Sequence, residues 1–340
     1  MKKVDEETKR LIMDLISEQG LGISEFALEK DFIVFDVLRA MSTLNHASFD
    51  LVFCGGTCLS KAYGLLDRVS EDVDIKVVSK AGVALKGNAL RSALSALKKL
   101  VAELLLSVGF DNVSIRITAR DGNRYVVLDA AYGSHFEQSP AMRANMKVEL
   151  NYTAMTLPPV KREIGLLFDT LADTPRRSVV QMSCVDMREA LVEKMVSFPR
   201  RLALWMKDKS RDFDKTLVRH IYDVYEISTK MPEVVSEIAM LRTMMFSVMA
   251  KDATDFATQH PGFALDPVGE FENAMNYAVA NPSIRALFDE FVSVMVYAQP
   301  SPSFGQALEC FRAILGKLMP ARGIGFADLL AKPLIEPSAF

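Results

Sequence analysis

Apolar and polar positions follow different patterns in the two halves of the chain. Dense or alternating apolar runs predict strands at residues 50–54, 73–78, 113–118, 125–132 and 146–152. In the same half, helical spacing of apolar residues marks residues 24–44, 57–66 and 88–108. Because these strands and helices are interleaved along the chain, the first half is predicted to form a mixed sheet with helices.

From about Met187 onward, only helical spacing is found. It covers residues 187–198, 215–230, 232–253, 268–278, 283–296 and 304–318. Between the two halves, Pro158-Pro159 and residues 173–175 interrupt the pattern. The predicted fold class is therefore α+β, with a mainly α-helical C-terminal region after the sheet.

Composition narrows the class of protein. The 340 residues are 50% hydrophobic and 24% charged, which allows a sizeable core and excludes intrinsic disorder. A formal net charge of -3 excludes a globally basic nucleic-acid coat, although not a local basic patch. No apolar stretch is long enough for a bilayer, the acidic N-terminus has no signal-peptide pattern, and the four cysteines form no CxxC pair. We therefore expect a reduced, soluble, cytoplasmic protein with no membrane partner.

The strongest chemical pattern lies between residues 53 and 77. A strand ends at Gly55-Gly56, where the missing Cβ atoms let the backbone approach a bound group, and Thr57 is predicted at the N-cap of the next helix. The free amides and the helix dipole there form an anion cradle suited to a triphosphate. The segment is not a P-loop, because it lacks both the second glycine before Lys61 and a hydroxyl residue after it.

Two carboxylates follow on the next predicted strand. Asp72 and Asp74 flank Val73, so that in an extended chain their side chains lie about 6.6 Å apart on one side, where they can share hard cations. The alternative, a merely solvated carboxylate pair, fits less well, because the aspartates follow a glycine turn and lead into an apolar strand.

This segment resembles the DNA polymerase β-like nucleotidyltransferases, and within them the AbiEii/AbiGii group of abortive-infection and toxin–antitoxin proteins. The group's pattern Gly-Gly-Thr-x-Leu-x-Lys, followed by Arg-x-Ser-x-Asp-x-Asp, is intact here. Its residues are Gly55, Gly56, Thr57, Leu59, Lys61, Arg68, Ser70, Asp72 and Asp74.

Three further segments extend the resemblance to about half of the chain. The strand around residues 146–151 resembles the one that carries the third carboxylate of the superfamily, which falls on Glu149. The predicted helix from Glu189 resembles the Glu-Lys helix of the group, with its lysine at Lys194. Arg219 and Asp223 match the group's Arg-Asp-x-Tyr-Asp-Leu, with His220 where an acid is usual, so the role of His220 stays open. The rival register at residues 211–214 lacks the tyrosine.

The resemblance implies a site and a division of the chain. It assigns Mg²⁺ or Mn²⁺ to Asp72, Asp74 and Glu149, with Lys194 and Asp223 completing the catalytic set. It assigns the NTP to Gly55, Gly56, Thr57, Lys61, Arg68, Ser70 and Lys194. It implies N-terminal helices over residues 1–45, a nucleotidyltransferase domain over residues 46–180, and an α-helical domain over residues 181–340 that completes the active site.

The acceptor is indicated by charge and by the resemblance together. Residues 194–219 hold eight basic and three acidic side chains, which predicts a phosphate-binding run, although a solvated helix surface is an equal alternative. The RNA contacts predicted from this run are Arg200, Arg201, Lys207, Lys209, Arg211 and Arg219. The resemblance favours transfer of NMP to a tRNA 3′ end by the toxin of a toxin–antitoxin pair, with a cognate antitoxin as partner. The alternatives are a protein-NMPylating enzyme and a nucleotide-binding regulatory module.

Overall fold

The chain folds into two compact units. The computed structural model describes residues 1–19, 22–138, 142–175, 178–297 and 299–319. Unit 1 is formed by Met1–Asp186 with Val294–Gln299, and unit 2 by Met187–Ser293 with the chain from Pro300 onward. Unit 1 therefore extends past residue 180, the end of the domain predicted from the sequence, because a strand at residues 180–184 still pairs in its sheet.

Unit 1 is built on a seven-stranded mixed sheet. Its strands are β1 Phe49–Cys54, β2 Asp72–Ser79, β3 Ile115–Arg120, β4 Tyr125–Ala131, β5 Asn145–Tyr152, β6 Val160–Ile164 and β7 Val180–Cys184. Their order across the sheet is β3-β4-β5-β2-β1-β7-β6, with the pairs β2–β5 and β1–β7 parallel and the other pairs antiparallel.

Five helices complete unit 1: α1 Glu6–Gln19, α2 Glu25–Ser42, α3 Gly55–Lys61, α4 Gly87–Ser107 and α5 Leu167–Leu171. One face of the central strands is fully buried, with Val73 and Ile75 of β2 beside Val148 and Leu150 of β5. Helix α2 lies against β2, β5 and β7, and α4 packs on α2 and β4. Side chains alternate along a strand, so the opposite face carries Asp72, Asp74 and Glu149.

Unit 2 is helical throughout its described part. Its helices are α6 Met187–Lys207, α7 Arg219–Lys230, α8 Pro232–Ser236, α9 Ile238–Asp255, α10 Pro261–Leu265, α11 Pro267–Ala280, α12 Pro282–Met295 and α13 Phe304–Leu318. Helix α6 is the centre of the unit, since α7, α9 and α11 all pack on it. Among the described helices, none is both long and apolar enough to cross a membrane.

The predicted α+β fold class is confirmed: the structure has a mixed sheet followed by helices. Strands β6 and β7 were not predicted, because both are short and rich in polar residues and lie in the segment that the prolines interrupt. The single helix predicted over residues 232–253 is two helices, which are separated at Glu237.

Candidate active site

The turn between β1 and α3 brings backbone close to a carboxylate. Cys54, not Thr57, occupies the N-cap position of α3, and Gly55 has φ +76, a conformation that favours glycine. A Cβ atom on Gly55 would collide with the carboxylate of Asp74, and one on Gly56 would collide with the guanidinium of Arg68. Both glycines are therefore required by close contacts, and they bring the predicted nucleotide turn against Asp74.

For the transfer reaction that the resemblance implies, replacing Gly55 by alanine is expected to lower the activity about a hundredfold, because the new methyl group displaces the Asp74 carboxylate. The matched control is Gly64→Ala, since Gly64 also has positive φ, +63, but has nothing within 4 Å of its Cβ position. Both variants lose about 1–2 kcal/mol of stability from backbone strain. Only Gly55→Ala should lose activity, measured by initial rates; equal rates for the two variants would contradict the contact.

Thr57 lies inside the first turn of α3, and its side chain is buried. Its hydroxyl donates to the backbone carbonyl of Asp72, so it fastens α3 to the start of β2. Arg68 is also buried, and its Nη1 donates to the Ser70 hydroxyl at 2.9 Å and to the Val69 carbonyl at 3.0 Å. The structure thus gives Thr57, Arg68 and Ser70 internal contacts that hold the turn and the approach to β2.

Strand register brings the three predicted carboxylates together. In the parallel pair β2–β5, Asp74 lies opposite Glu149 and Asp72 lies opposite Lys147. Residues opposite each other on paired strands point to the same face, so the carboxylates of Asp72, Asp74 and Glu149 share one face of the sheet. We call this face, which also carries Lys147 of β5 and Tyr125 and Asp129 of β4, the carboxylate face.

Two cations and a tyrosine contact these carboxylates. Nη1 of Arg143 lies 3.0 Å from both oxygens of Asp72. The Lys147 ammonium pairs with Oε1 of Glu149, and the Tyr125 hydroxyl donates to Oε2 of the same residue at 2.7 Å. The charges of Asp72 and Glu149 are therefore balanced within unit 1.

The local environment shifts the pKa values of Asp72, Lys147 and Tyr125. Burial raises the pKa of Asp72, and the Arg143 and Lys147 charges oppose this shift. Burial works against the charge of Lys147, but Glu149 and Asp72 together hold the pKa of its ammonium above the ordinary value. Burial and the hydrogen bond to Glu149 raise the pKa of Tyr125, so Tyr125 stays a neutral donor.

The donor set suits a hard cation, because carboxylate oxygens are the ligands that Mg²⁺ and Mn²⁺ prefer. Within the described residues, no group of three or more His, Cys, Asp or Glu side chains is already arranged around a common point for a metal. Arg143 and Lys147 occupy oxygens that a metal would need. The carboxylates of Asp72 and Glu149 would therefore have to exchange these cations for a metal ion.

Helix α2 braces the site with three consecutive buried charges, Glu29, Lys30 and Asp31. Successive helix positions are rotated by about 100°, so the three side chains point to different segments. The Lys30 ammonium lies 2.8 Å from Glu71 Oε2 and 2.6 Å from the Arg143 carbonyl. Glu71 Oε2 also accepts from the Arg143 amide at 2.9 Å. Lys30 and Glu71 therefore hold the backbone of Arg143 close to Asp72, which follows Glu71 in the chain.

Asp31 of α2 is the ion-pair partner of Lys61. The Lys61 ammonium lies 2.5 Å from Asp31 Oδ1, and both side chains are buried. Asp31 Oδ2 accepts from the Leu167 amide at 2.8 Å. This ion pair fastens the end of α3 to α2, and the nucleotide contact expected for Lys61 stays a prediction.

In unit 2, Lys194 of α6 and Asp223 of α7 form a buried ion pair at 2.7 Å. His220, one turn before Asp223, has a pKa lowered to about 3 by burial and by the nearby charges of Lys194 and Arg201. Its Nδ1 is buried and, among the described residues, has no hydrogen-bond partner. This ion pair therefore joins α6 to α7 within unit 2, and the catalytic roles of Lys194 and Asp223 stay a prediction.

The basic run of residues 194–219 is largely paired within unit 2. Arg200 has a side chain only 11% exposed, lies 2.8 Å from Asp252, and stacks on the Phe256 ring at 4.1 Å. Arg200 is therefore an internal ion-pair partner, and the RNA contact expected for it stays a prediction. Arg201 pairs with Asp214, and Arg211 pairs with Asp208 at 2.9 Å.

Three other cations of the run, Lys207, Lys209 and Arg219, contact a carboxylate or an aromatic ring. Lys207 has an exposed side chain (60%), and its ammonium lies 3.3 Å from Glu270. The Lys209 ammonium lies over the Trp205 ring, 3.1 Å from its centroid. Arg219 lies over the Phe291 ring. The net charge of the run therefore overstates the number of cations that face solvent.

Sequence reasoning missed Arg143, Lys147, Tyr125 and the Lys30–Glu71 pair. No local motif marks Arg143 or Tyr125, because their contacts arise only from the pairing of β2, β4 and β5. One signal was present for Lys30: three consecutive charged residues inside an apolar helix require buried partners.

Comparison with known proteins identifies the family of the chain. The sequence model described as "Nucleotidyl transferase AbiEii toxin, Type IV TA system" matches residues 37–310, about four fifths of the chain. The protein is thus a nucleotidyltransferase. More particularly, it belongs to the AbiEii family, the nucleotidyltransferase toxins of type IV toxin–antitoxin systems, and this family implies an antitoxin partner.

One solved structure similar to the chain is MenT4, a nucleotidyltransferase toxin from Mycobacterium tuberculosis. The two are 17% identical, the match covers 92% of this chain and 99% of that one, and the TM-score is 0.35. No curated protein matches the chain.

Proposed function

We propose that the protein transfers NMP from an NTP to the 3′ end of a tRNA in the cytoplasm, in a reaction that needs Mg²⁺ or Mn²⁺ and releases pyrophosphate. The observation that carries the proposal is the β2–β5 register, which aligns Asp72, Asp74 and Glu149 on one face next to the Gly55-Gly56 turn. Family membership supports the reaction class, and the choice of tRNA follows from the resemblance found in the sequence.

Each proposed role follows from the chemistry of the side chain. A divalent cation, when bound by Asp72, Asp74 and Glu149, stabilises charge on the attacking and leaving oxygens of a displacement at phosphorus. The glycine turn offers backbone amides to the triphosphate. Arg143 and Lys147 keep the carboxylates neutralised before the substrate arrives, and their charges are then free for phosphate.

Lys194 and Asp223 are proposed as a further catalytic pair. Asp223 holds the Lys194 ammonium in one position, so that its charge is preorganised to bind the phosphates. Thr57, Arg68, Ser70 and Lys61 are proposed to hold the nucleotide turn in shape through the contacts described above.

Incubating the protein with each of the four α-labelled NTPs, Mg²⁺ and a bacterial lysate tests the proposal. We expect the label to enter RNA of tRNA size, to resist protease and to be removed by ribonuclease. The Asp74→Ala variant in the same lysate is the control for endogenous enzymes. Label found only in polypeptides would replace tRNA with a protein acceptor, and no label above the control with any NTP would refute transfer.

A further inference from the structure

The carboxylate face continues beyond the carboxylates to the edge of the sheet. Among the strands that the structure describes, β3 pairs with β4 alone and is therefore an edge strand. In the β3–β4 register, Arg116 lies opposite Asp129 and Arg120 lies opposite Tyr125. Since Asp129 and Tyr125 belong to the carboxylate face, the side chains of Arg116 and Arg120 point to the same side of the sheet as the predicted catalytic residues.

The two arginines of β3 differ from the other cations on this face. Arg143 and Lys147 are paired with Asp72 and Glu149, whereas Arg116 and Arg120 are exposed. Neither guanidinium makes an ion pair or a hydrogen bond with any residue for which the structure gives a position. An arginine held on a strand without a protein partner offers its planar set of donors to an external phosphate.

The order of the strands indicates from which side of β2 the acceptor reaches the carboxylate face. The nucleotide turn follows β1, on one side of β2, while Glu149 is on β5, on the other side. In the proposed function the glycine turn holds the triphosphate on the β1 side of β2, and the attacking and leaving oxygens of the displacement lie on opposite sides of the phosphorus, so the acceptor approaches from the side of β5. Beyond β5 in that direction lie only β4 and then β3.

Distances on the sheet fit a nucleic-acid strand. Neighbouring strands are about 4.8 Å apart, so β3 lies about 14 Å from β2. Arg116 and Arg120 are four positions apart, or about 13 Å along the strand, a length over which a nucleic-acid strand presents several phosphates. The acidic side chains near them are Asp129, opposite Arg116, and Asp121, which follows Arg120 in the chain. In the sheet, Lys147 lies between Asp129 and Asp72.

We propose that Arg116 and Arg120 on edge strand β3 form a docking surface for the phosphate backbone of the RNA acceptor and lead its 3′ end across β4 toward Glu149. This inference rests on the proposed function, since it requires an RNA acceptor. It assigns the acceptor to unit 1, and not to the basic run of unit 2.

The test compares three double charge reversals in steady-state transfer to tRNA. Arg116→Glu with Arg120→Glu is expected to raise KM for RNA about tenfold or more, with kcat and KM for NTP changed less than twofold. Losing two phosphate contacts should also reduce the slope of log KM against log salt by about 1.4–1.8. Both arginines are exposed on an edge strand, so the variant should fold, which circular dichroism verifies.

Two matched controls carry the same change of charge. Lys86→Glu with Lys99→Glu alters exposed lysines at the start of α4 and within it, and α4 packs on the buried face of the sheet; this variant should match wild type. Lys207→Glu with Arg211→Glu tests the basic run. A rise in KM for this variant, with none for the β3 variant, would overturn the inference.

The outcomes distinguish failure of the docking surface from failure of the proposed function on which it rests. If the wild-type protein labels RNA and the β3 variant has the same KM as the α4 control, the docking surface is refuted and the function stands. If the wild-type protein labels no RNA, the function fails, and the docking surface fails with it.

Discussion

Asp74→Ala is expected to abolish nucleotide transfer, with a loss of at least about a thousandfold, while the protein stays folded. Asp74 lies on the carboxylate face opposite Glu149, and the turn at Gly55 packs directly on its carboxylate. Removing the charge removes a proposed ligand for the metal that stabilises the transition state, and such electrostatic terms dominate phosphoryl transfer. Asp74 is only half-buried, so its loss should leave the core intact.

The comparison for this variant is Asp50→Ala. Asp50 is an exposed aspartate of β1, a strand adjacent to β2, and its nearest cation is Lys80 at 4.0 Å. Transfer rates with saturating NTP and Mg²⁺ should be unchanged for Asp50→Ala and at background for Asp74→Ala. An active Asp74→Ala protein with wild-type circular dichroism would eliminate the proposed metal site.

The local part of this site could be predicted from the sequence because its chemistry is carried by residues close together in the chain. The Gly55-Gly56 turn and the alternation of Asp72 and Asp74 are features of a single strand–turn–helix–strand segment. The three segments 113–118, 125–132 and 146–152 were also predicted as strands, and they correspond to β3, β4 and β5. Their pairing order could not be predicted, because alternation identifies a strand without identifying its neighbour.

The pairing and exposure of charged side chains were the properties least predictable from the sequence. The basic run suggested a surface of free cations, but Arg200 and Arg201 pair with Asp252 and Asp214. Asp252 is distant in the sequence, so net charge within a window could not reveal the pairing. Conversely, Arg116 and Arg120 drew no attention in the sequence, because they form no cluster of basic residues there and become part of one surface only through the register of β3 with β4.

The buried charges of α2 show the same limit and lead to a prediction about stability. Lys30 is fully buried, and the desolvation of its ammonium lowers its pKa, while Glu71 opposes that shift. Lys30→Met fills the space but leaves the Glu71 charge buried without its ammonium partner. Removing one partner of a buried ion pair typically costs about 3–5 kcal/mol, so we expect a loss of that size in the free energy of unfolding.

Urea-induced unfolding followed by circular dichroism measures this loss in the whole chain. Fluorescence would not, because the single tryptophan, Trp205, lies in unit 2. Adding Glu71→Gln to Lys30→Met should recover about half of the loss, since the amide oxygen can still accept from the Arg143 amide while the buried charge is gone. Lys80→Met, at an exposed ion pair, should cost less than about 0.5 kcal/mol. If Lys30→Met costs no more than Lys80→Met, then the Lys30–Glu71 pair does not hold α2 to the start of β2.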